Sequence, residues 1–159
     1  MLNIFKEENK LKLILYINEE KKEKPIYFFY NNNEEYEEYE ESNDTNGNII
    51  FSELIEDDLF KKIKEIKING EEKNEIKAFI TRQEGFHKIE IIFKAKIKSC
   101  KKMFMNCKCL YEVDFSFFNF EEITDLSRMF QNCTDLNKVD LSNKNMGNLE
   151  NIDFMFYRC

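Results

Sequence analysis

The sequence predicts an α+β protein in which a β-rich N-terminal domain with one helix is followed by a short solenoid. Three observations lead to this prediction: a repeat with a period of 26 residues in the C-terminal part, apolar and aromatic strand-like segments before it, and a helix-like segment between those. We place the N-terminal domain at residues 1–95 and the repeats at residues 96–159.

Composition and charge exclude several classes of function. Hydrophobic residues make up 42% of the chain and charged residues 35%, with a formal net charge of −7. We expect no nucleic-acid partner, because phosphate recognition needs a positive surface. No segment has the length of a membrane span or the form of a signal peptide. We therefore expect no membrane insertion and a cytoplasmic location, with the cell surface as the alternative if the chain is incomplete.

Two strands are predicted near the N-terminus. The segments Leu11–Ile17 and Ile26–Tyr30 are rich in Ile, Tyr and Phe, which favour strands. The charged stretch between them suggests that they form a hairpin with a long loop. The acidic residues 31–48 predict a solvated loop, because like charges repel one another.

One helix is predicted to begin after Ser52, a residue type that often caps helix N-termini. Acidic residues follow Ser52 and lysines come near the end of the segment, which is the distribution that the helix dipole favours. Ile55, Leu59 and Ile63 would form the apolar face of this helix.

A second hairpin is predicted at Asn69-Gly70, a dipeptide that favours two-residue β-turns. Ile66 and Ile68 would lie in its first strand, and the return strand would run through Ile76–Ile80. Alternating residues predict a further strand through Ile89–Phe93, which leads into the repeats.

The C-terminal part repeats itself every 26 residues, with two full units and a truncated third. The recurring groups are Met103-Phe104, Met129-Phe130 and Met155-Phe156; Cys107, Cys133 and Cys159; and Val113-Asp114-Phe115-Ser116 with Val139-Asp140-Leu141-Ser142. A fixed period of this length predicts stacked units that share one core.

The apolar positions of each unit are interpreted as structural core and not as redox or metal sites. Alternation predicts a strand from Leu110 whose Val113 and Phe115 point inward, and the spacing of Leu126, Met129, Phe130 and Cys133 predicts a short helical turn. The core positions are Met103, Phe104, Cys107, Leu110, Val113, Phe115, Ile123, Leu126, Met129, Phe130, Cys133, Leu136, Val139 and Leu141.

These residues resemble the BspA-like leucine-rich repeats, in particular the 26-residue "surface protein" repeat of mycoplasma, bacterial and protist proteins. The resemblance rests on Met103-Phe104-x-x-Cys107-x-x-Leu110-x-x-Val113-Asp114-Phe115-Ser116 and its counterpart from Met129 to Ser142, and it covers Ile97 to Cys159. It implies a right-handed leucine-rich-repeat solenoid that contacts proteins or ligands. Where the first unit has Phe117-Phe118, the second has Asn143-Lys144, so we expect looser packing there.

The outward positions of the two repeat strands form a candidate partner-binding face. Asp114 and Asp140 would be neighbours across strands, and such like charges cost free energy unless a cation or a basic partner meets them. The alternative is that Asp and Ser belong to the repeat pattern and satisfy local backbone donors. The candidate face consists of Glu112, Asp114, Ser116, Lys138, Asp140 and Ser142.

The preferred function is a non-catalytic protein–protein interaction module. A surface or secreted adhesion protein is the alternative that the resemblance suggests, and an enzyme in the N-terminal domain is a third, unsupported one. The single histidine, His87, has no catalytic motif around it, and the C-x-C spacing of Cys107 and Cys109 does not match a zinc site. We therefore expect no catalytic residue, cofactor or metal, and five free thiols.

Overall fold

The structure is a computed structural model that describes residues 9–24, 26, 58–73 and 81–159. Its elements are β1 (Asn9–Ile17), α1 (Asp58–Lys61), β2 (Ile63–Ile68), β3 (Glu71–Lys73), β4 (Gly85–Phe93), β5 (Leu110–Asp114) and β6 (Lys138–Asp140). The strands form one mixed sheet in the order β3-β2-β4-β1-β5-β6, in which only the pair β5 and β6 is parallel. The fold of the described residues is thus mostly β.

Strand β1 lies near the middle of the sheet and joins the N-terminal strands to the first repeat. It pairs with β4 along its whole length and with β5 from Lys12 to Leu15. Its alternate residues, beginning with Leu11, are fully buried. The predicted strand is confirmed, but the hairpin with Ile26–Tyr30 is wrong, because other strands occupy both edges of β1. Residues 27–30 themselves, like the acidic segment 31–48, lie outside the described residues.

The predicted helix is reduced to the single turn α1 among the described residues, and residues 52–57 of that prediction lie outside them. Ile63, which the sequence pattern places on the apolar face of the helix, instead begins β2 and lies opposite Phe93 of β4. The prediction of helix beyond Lys61 is therefore wrong. Isoleucine is β-branched, and pairing with β4 stabilises the extended backbone over the local helical preference.

The hairpin at Asn69-Gly70 is confirmed. Strands β2 and β3 pair antiparallel, with Ile68 opposite Glu71. Both turn residues have positive φ, 51° at Asn69 and 87° at Gly70, as a mirror-image two-residue turn requires. The return strand begins directly after the turn as β3, whereas residues 76–80 lie outside the described residues. The predicted strand through Ile89–Phe93 is also confirmed and begins earlier, at Gly85.

Backbone hydrogen bonds join segments one repeat apart. Ser99, Asp125 and Asn151 form parallel bridges with one another in succession. After each bridge, every second backbone N–H donates to a carbonyl of the following unit at 2.8–2.9 Å. These bonds are Cys100 to Asp125, Lys102 to Ser127, Phe104 to Met129, Asn106 to Gln131, Leu126 to Asn151, Arg128 to Asp153, Phe130 to Met155, and Asn132 to Tyr157.

The intervening residues form successive tight turns, so the predicted helical turn from Leu126 to Cys133 is wrong. Met129 N–H donates to Leu126 O, and Cys133 N–H donates to Phe130 O. In a helix every backbone N–H would bond to a carbonyl of the same helix. Here every second N–H bonds instead to a carbonyl of the following unit. Arg128 and Asn132 have positive φ, 57° and 61°, which turns the chain back after each outward donor.

One apolar cluster lies on the inner face of the sheet and continues into the repeats. Of the repeat positions interpreted as core, those from Met103 to Cys133 are buried, while Leu136, Val139 and Leu141 are half-buried against the same cluster. Phe130 stacks between Phe104 and Phe156, with ring centroids 5.6 and 5.3 Å away. The domain boundary predicted at residues 95 and 96 falls after β4, and the sheet continues across it through β1.

The corner after β5 differs between the two units. Phe118 is buried against Phe93 and Phe115, whereas Phe117 is 58% exposed. In the second unit, Asn143 is exposed and Lys144 reaches back so that its Nζ donates to Ser116 O at 3.0 Å. The aromatic filling of the first unit is therefore absent at the second.

Candidate partner-binding face

The six residues of the candidate face lie on β5, on β6 and in the turns that follow them. Glu112 is paired with Lys138, and Asp114 with Asp140, in the parallel register. Ser116 and Ser142 are exposed in the turns after the strands. The structure therefore brings the six residues together on the outer side of the sheet.

The charges of this face are largely balanced within the chain. The Lys138 ammonium lies 2.9 Å from Glu112, and the Lys12 ammonium on β1 lies 3.4 Å from Asp114. The hydrogen bond from Lys138 to Glu112 raises the pKa of Lys138. The cation expected to meet the paired aspartates is therefore supplied in part by lysines of the protein itself.

Both aspartates also hold the turns that follow them. Asp114 Oδ1 accepts the N–H of Ser116 at 2.8 Å, and Asp140 Oδ1 accepts the N–H of Ser142 at 2.9 Å. Burial alone would raise the pKa of Asp114, but the hydrogen bonds from Ser116 and Lys12 lower it overall. Hydrogen bonds from Ser142 likewise lower the pKa of Asp140. These contacts favour the interpretation that Asp and Ser satisfy local backbone donors.

Three aromatic side chains on the same outer side form what we call the aromatic patch: Tyr16, Phe86 and Tyr111. The ring of Phe86 lies 5.1 Å from Tyr16 and 5.1 Å from Tyr111, centroid to centroid. Phe86 is 61% exposed and Tyr16 is 39% exposed. The patch lies at the C-terminal end of β1. Towards the other end of β1 the same side of the sheet carries ion pairs, such as that of Lys10 with Glu90 at 2.9 Å.

Sequence reasoning missed the aromatic patch. Its members come from β1, β4 and β5, and they meet because Tyr16 is directly opposite Phe86 and Tyr111 lies in the irregularity between β1 and β5. The available signal was the position of each ring, out of phase with the buried residues of its strand. That signal indicates exposure, but only the strand register shows that the rings are adjacent.

His87 is a structural residue in this fold. It is 3% exposed, its Nε2 lies 2.9 Å from Gln83 O, and its Nδ1 lies 3.1 Å from Asn69 Nδ2. The amide oxygen of Asn69 also accepts the N–H of Lys88, which fixes the amide orientation. The two ring nitrogens thus contact Gln83, just before β4, and Asn69 of the β2–β3 turn.

The described residues contain no group of three or more His, Cys, Asp or Glu side chains arranged to hold a metal ion. Nor does any helix within ranges 9–24, 58–73 and 81–159 have the length and apolarity needed to cross a membrane. All five cysteines are free thiols, and Cys159 alone among them is exposed.

Comparison with known proteins identifies a family but not a function. A family model described as "Mycoplasma protein of unknown function, DUF285" matches residues 74–159. No curated protein and no solved structure matches the chain. Since the match spans more than half of the sequence, the chain belongs to the DUF285 family, a surface-protein repeat family.

Proposed function

We propose that this member of the DUF285 family is a non-catalytic protein–protein interaction module, in which residues 96–159 form a short right-handed leucine-rich-repeat solenoid. Its binding surface would be the outer side of the sheet, comprising the candidate face and the aromatic patch. The function of the family is not established, so the proposal rests on the geometry of this chain.

The observation that carries the proposal is the exposure of the aromatic patch. Tyr and Phe are enriched at protein interfaces, where they bury large apolar areas at a low entropic cost. A single exposed ring is ordinary on a protein surface, but three rings in mutual contact on one side of a sheet form a contiguous apolar area. The ion pairs Lys10–Glu90 and Lys12–Asp114, which lie further along β1 on the same side of the sheet, would supply polar contacts at one edge of such an interface.

The solenoid is supported by the bonds between units. Stacking one unit on the next satisfies backbone donors of the first unit and buries the rings of Phe104 and Phe130. Repeat proteins depend on such contacts between neighbouring units. The right hand of the solenoid rests on the resemblance to the BspA-like repeats.

The test is a quantitative pull-down from the native source with the full-length chain as bait. Phe86→Ser should reduce capture of the specific partner, because it removes the most exposed ring of the patch. The matched control is Phe154→Ser, since Phe154 is 58% exposed and lies outside the six strands. Undiminished capture by Phe86→Ser would contradict the aromatic patch as the binding surface.

A second pair of variants tests the candidate face. The double charge reversal Asp114→Lys with Asp140→Lys should reduce capture if these carboxylates meet a basic partner. Asp153→Lys is an exposed control outside the face. Because both aspartates also hold turns, far-UV circular dichroism must show that the double variant is folded. If the folded double variant binds as well as the natural chain, the aspartates serve the repeat only.

The alternative, a surface or secreted adhesion protein, is favoured by the nature of the repeat family. Treating intact cells of the source organism with a protease that cannot enter them distinguishes the two proposals. Loss of the protein from such cells supports the adhesion protein, and full protection supports the cytoplasmic module.

A further inference from the structure

Two thiols face each other at the start of β5. Cys107 Sγ and Cys109 Sγ lie 4.0 Å apart, and both residues are buried, with 2% and 4% of their surface exposed. The cysteines that correspond to Cys107 in the next two units bond to backbone carbonyls instead. Cys133 Sγ donates to Phe104 O at 3.1 Å, and Cys159 Sγ donates to Phe130 O at 2.8 Å. A disulfide bond is about 2.0 Å long, so the thiol pair needs an approach of about 2 Å to close.

The two thiols of the pair are electrostatically unequal. The hydrogen bond between them lowers the pKa of Cys109 and raises the pKa of Cys107. The ammonium of Lys21 lowers the pKa of Cys109 further, and the Asp135 carboxylate opposes it. By contrast, burial raises the pKa of Cys133. Of the two thiols, Cys109 is therefore the one that loses its proton more readily, and the thiolate is the form that reacts.

The surroundings of Cys109 offer a route for a small reagent. Lys21 Nζ donates to Lys108 O at 3.3 Å and forms an ion pair with Asp135. These two side chains remain 23% and 30% exposed. A lysine side chain is flexible, and this ion pair is still partly open to solvent, which lowers the free energy needed to displace Lys21.

We propose that Cys107 and Cys109 form a dithiol modification site that reacts with small disulfides of the glutathione class and closes to an internal disulfide. The Cys109 thiolate attacks one sulfur of the small disulfide, whose S–S bond breaks and releases one small thiolate. Cys107 gives its proton to that thiolate and attacks Cys109 Sγ, which expels the second small thiolate. The two cysteines are oxidised, and one disulfide is reduced to two thiols.

The test exposes the full-length native chain to oxidised glutathione, quenches with acid and digests with trypsin. Lys108 lies between the two cysteines, so cleavage there leaves the peptides 103–108 and 109–128 joined only by the new bond. The expected product is this linked pair, lighter than the two peptides by the two thiol hydrogens and separated by reduction. In urea the same treatment should no longer favour the bond between Cys107 and Cys109 over the modification of other cysteines, because all five thiols are then equally accessible.

Single variants separate the roles of the two thiols. Cys107→Ser should leave Cys109 as a stable mixed disulfide with glutathione, whereas Cys109→Ser should leave Cys107 unmodified. Cys100→Ser, which alters another buried thiol, should form the linked peptides at the natural rate. Lys21→Gln should move the pH–rate profile to higher pH, whereas Lys22→Gln, whose lysine pairs with Glu19 and Glu84, should not.

Three results would overturn the proposal. The first is modification of the exposed Cys159 alone, with both thiols of the pair unreacted in the native chain. The second is a persistent mixed disulfide at Cys109 in the natural chain, since Cys107 would then not resolve it. The third is an identical reaction in Cys107→Ser and the natural chain.

Discussion

Replacing Phe130 by leucine, which has no ring, tests whether stacking between the repeat units stabilises the fold. Phe104, Phe130 and Phe156 form a stack of three rings. Phe130 is fully buried in the middle of this stack, whereas Phe156 is 48% exposed and, among the described residues, stacks against Phe130 alone. If the units stabilise one another as stacked repeats, Phe130→Leu should cost much more stability than Phe156→Leu.

The magnitudes follow from the contacts that each substitution removes. An aromatic pair contributes about 0.5–1.5 kcal/mol beyond its buried area, and a buried change of shape adds up to about 1.5 kcal/mol. Phe130→Leu removes two stacked pairs from a closed site, so we expect a loss of about 2–3 kcal/mol. Phe156→Leu removes one pair at a half-exposed site, for which we expect about 1 kcal/mol.

Urea unfolding followed by far-UV circular dichroism measures these differences, since the chain has no tryptophan to serve as a fluorescent probe. The difference in midpoint at an unchanged m-value gives the change in free energy of unfolding. Phe117→Leu is the control, because Phe117 is 58% exposed and is not part of the stack of Phe104, Phe130 and Phe156. It should change the free energy of unfolding by less than about 0.5 kcal/mol. Equal losses for Phe130→Leu and Phe156→Leu would refute the reasoning.

Three further predictions concern single residues. Asn132 combines a positive φ of 61° with a 2.7 Å hydrogen bond from its Nδ2 to Asn106 Oδ1, so Asn132→Ala should cost about 2 kcal/mol in urea unfolding and Asn132→Gly about 1; equal costs would contradict a backbone contribution. Gly70→Ala should cost about 1 kcal/mol by the same assay, because φ is +87° there although no atom lies within 4 Å of the added Cβ; an unchanged midpoint would contradict this expectation. Hydrogen bonds from two lysines lower the pKa of Glu90 from 4.5 to about 2, so its carboxylate stabilises the fold by about 1–2 kcal/mol above pH 4.5, and this contribution is lost as the pH falls towards 2. The stability difference between the natural chain and Glu90→Gln should accordingly shrink over that pH range, and a constant difference would exclude the ion pairs as its cause.

The features that sequence predicted correctly depend on local or periodic signals. Asn69-Gly70 determines its own turn, because both residues tolerate the positive φ that the hairpin requires. The 26-residue recurrence likewise locates β5 and β6, since equivalent residues of stacked units occupy equivalent positions. Such information lies within a few residues or in the period itself.

The features that sequence missed depend on pairing over long separations. Lys12 lies opposite Glu90 on one side and Asp114 on the other, and no local pattern indicates either neighbour. The predicted helix extends too far for the same reason. Its charge pattern favours a helix through Ile63, whereas pairing with the distant strand β4 places Ile63 in β2. Of the candidate site, the repeat strands could be predicted, whereas the aromatic patch depends on two strand registers, that of β1 with β4 and that of β1 with β5.

The origin of the aromatic patch bears on what kind of specificity the protein can have. Tyr16 and Phe86 lie outside the repeat, and the residue one repeat after Tyr111 is Asn137. Asp114 and Ser116, in contrast, recur in the second unit, where they hold the same turn. A surface made of recurring residues would repeat from unit to unit, because those residues hold the turns themselves. The patch exists only where β1 joins β4 to the first repeat, so a partner that recognises it would recognise that junction.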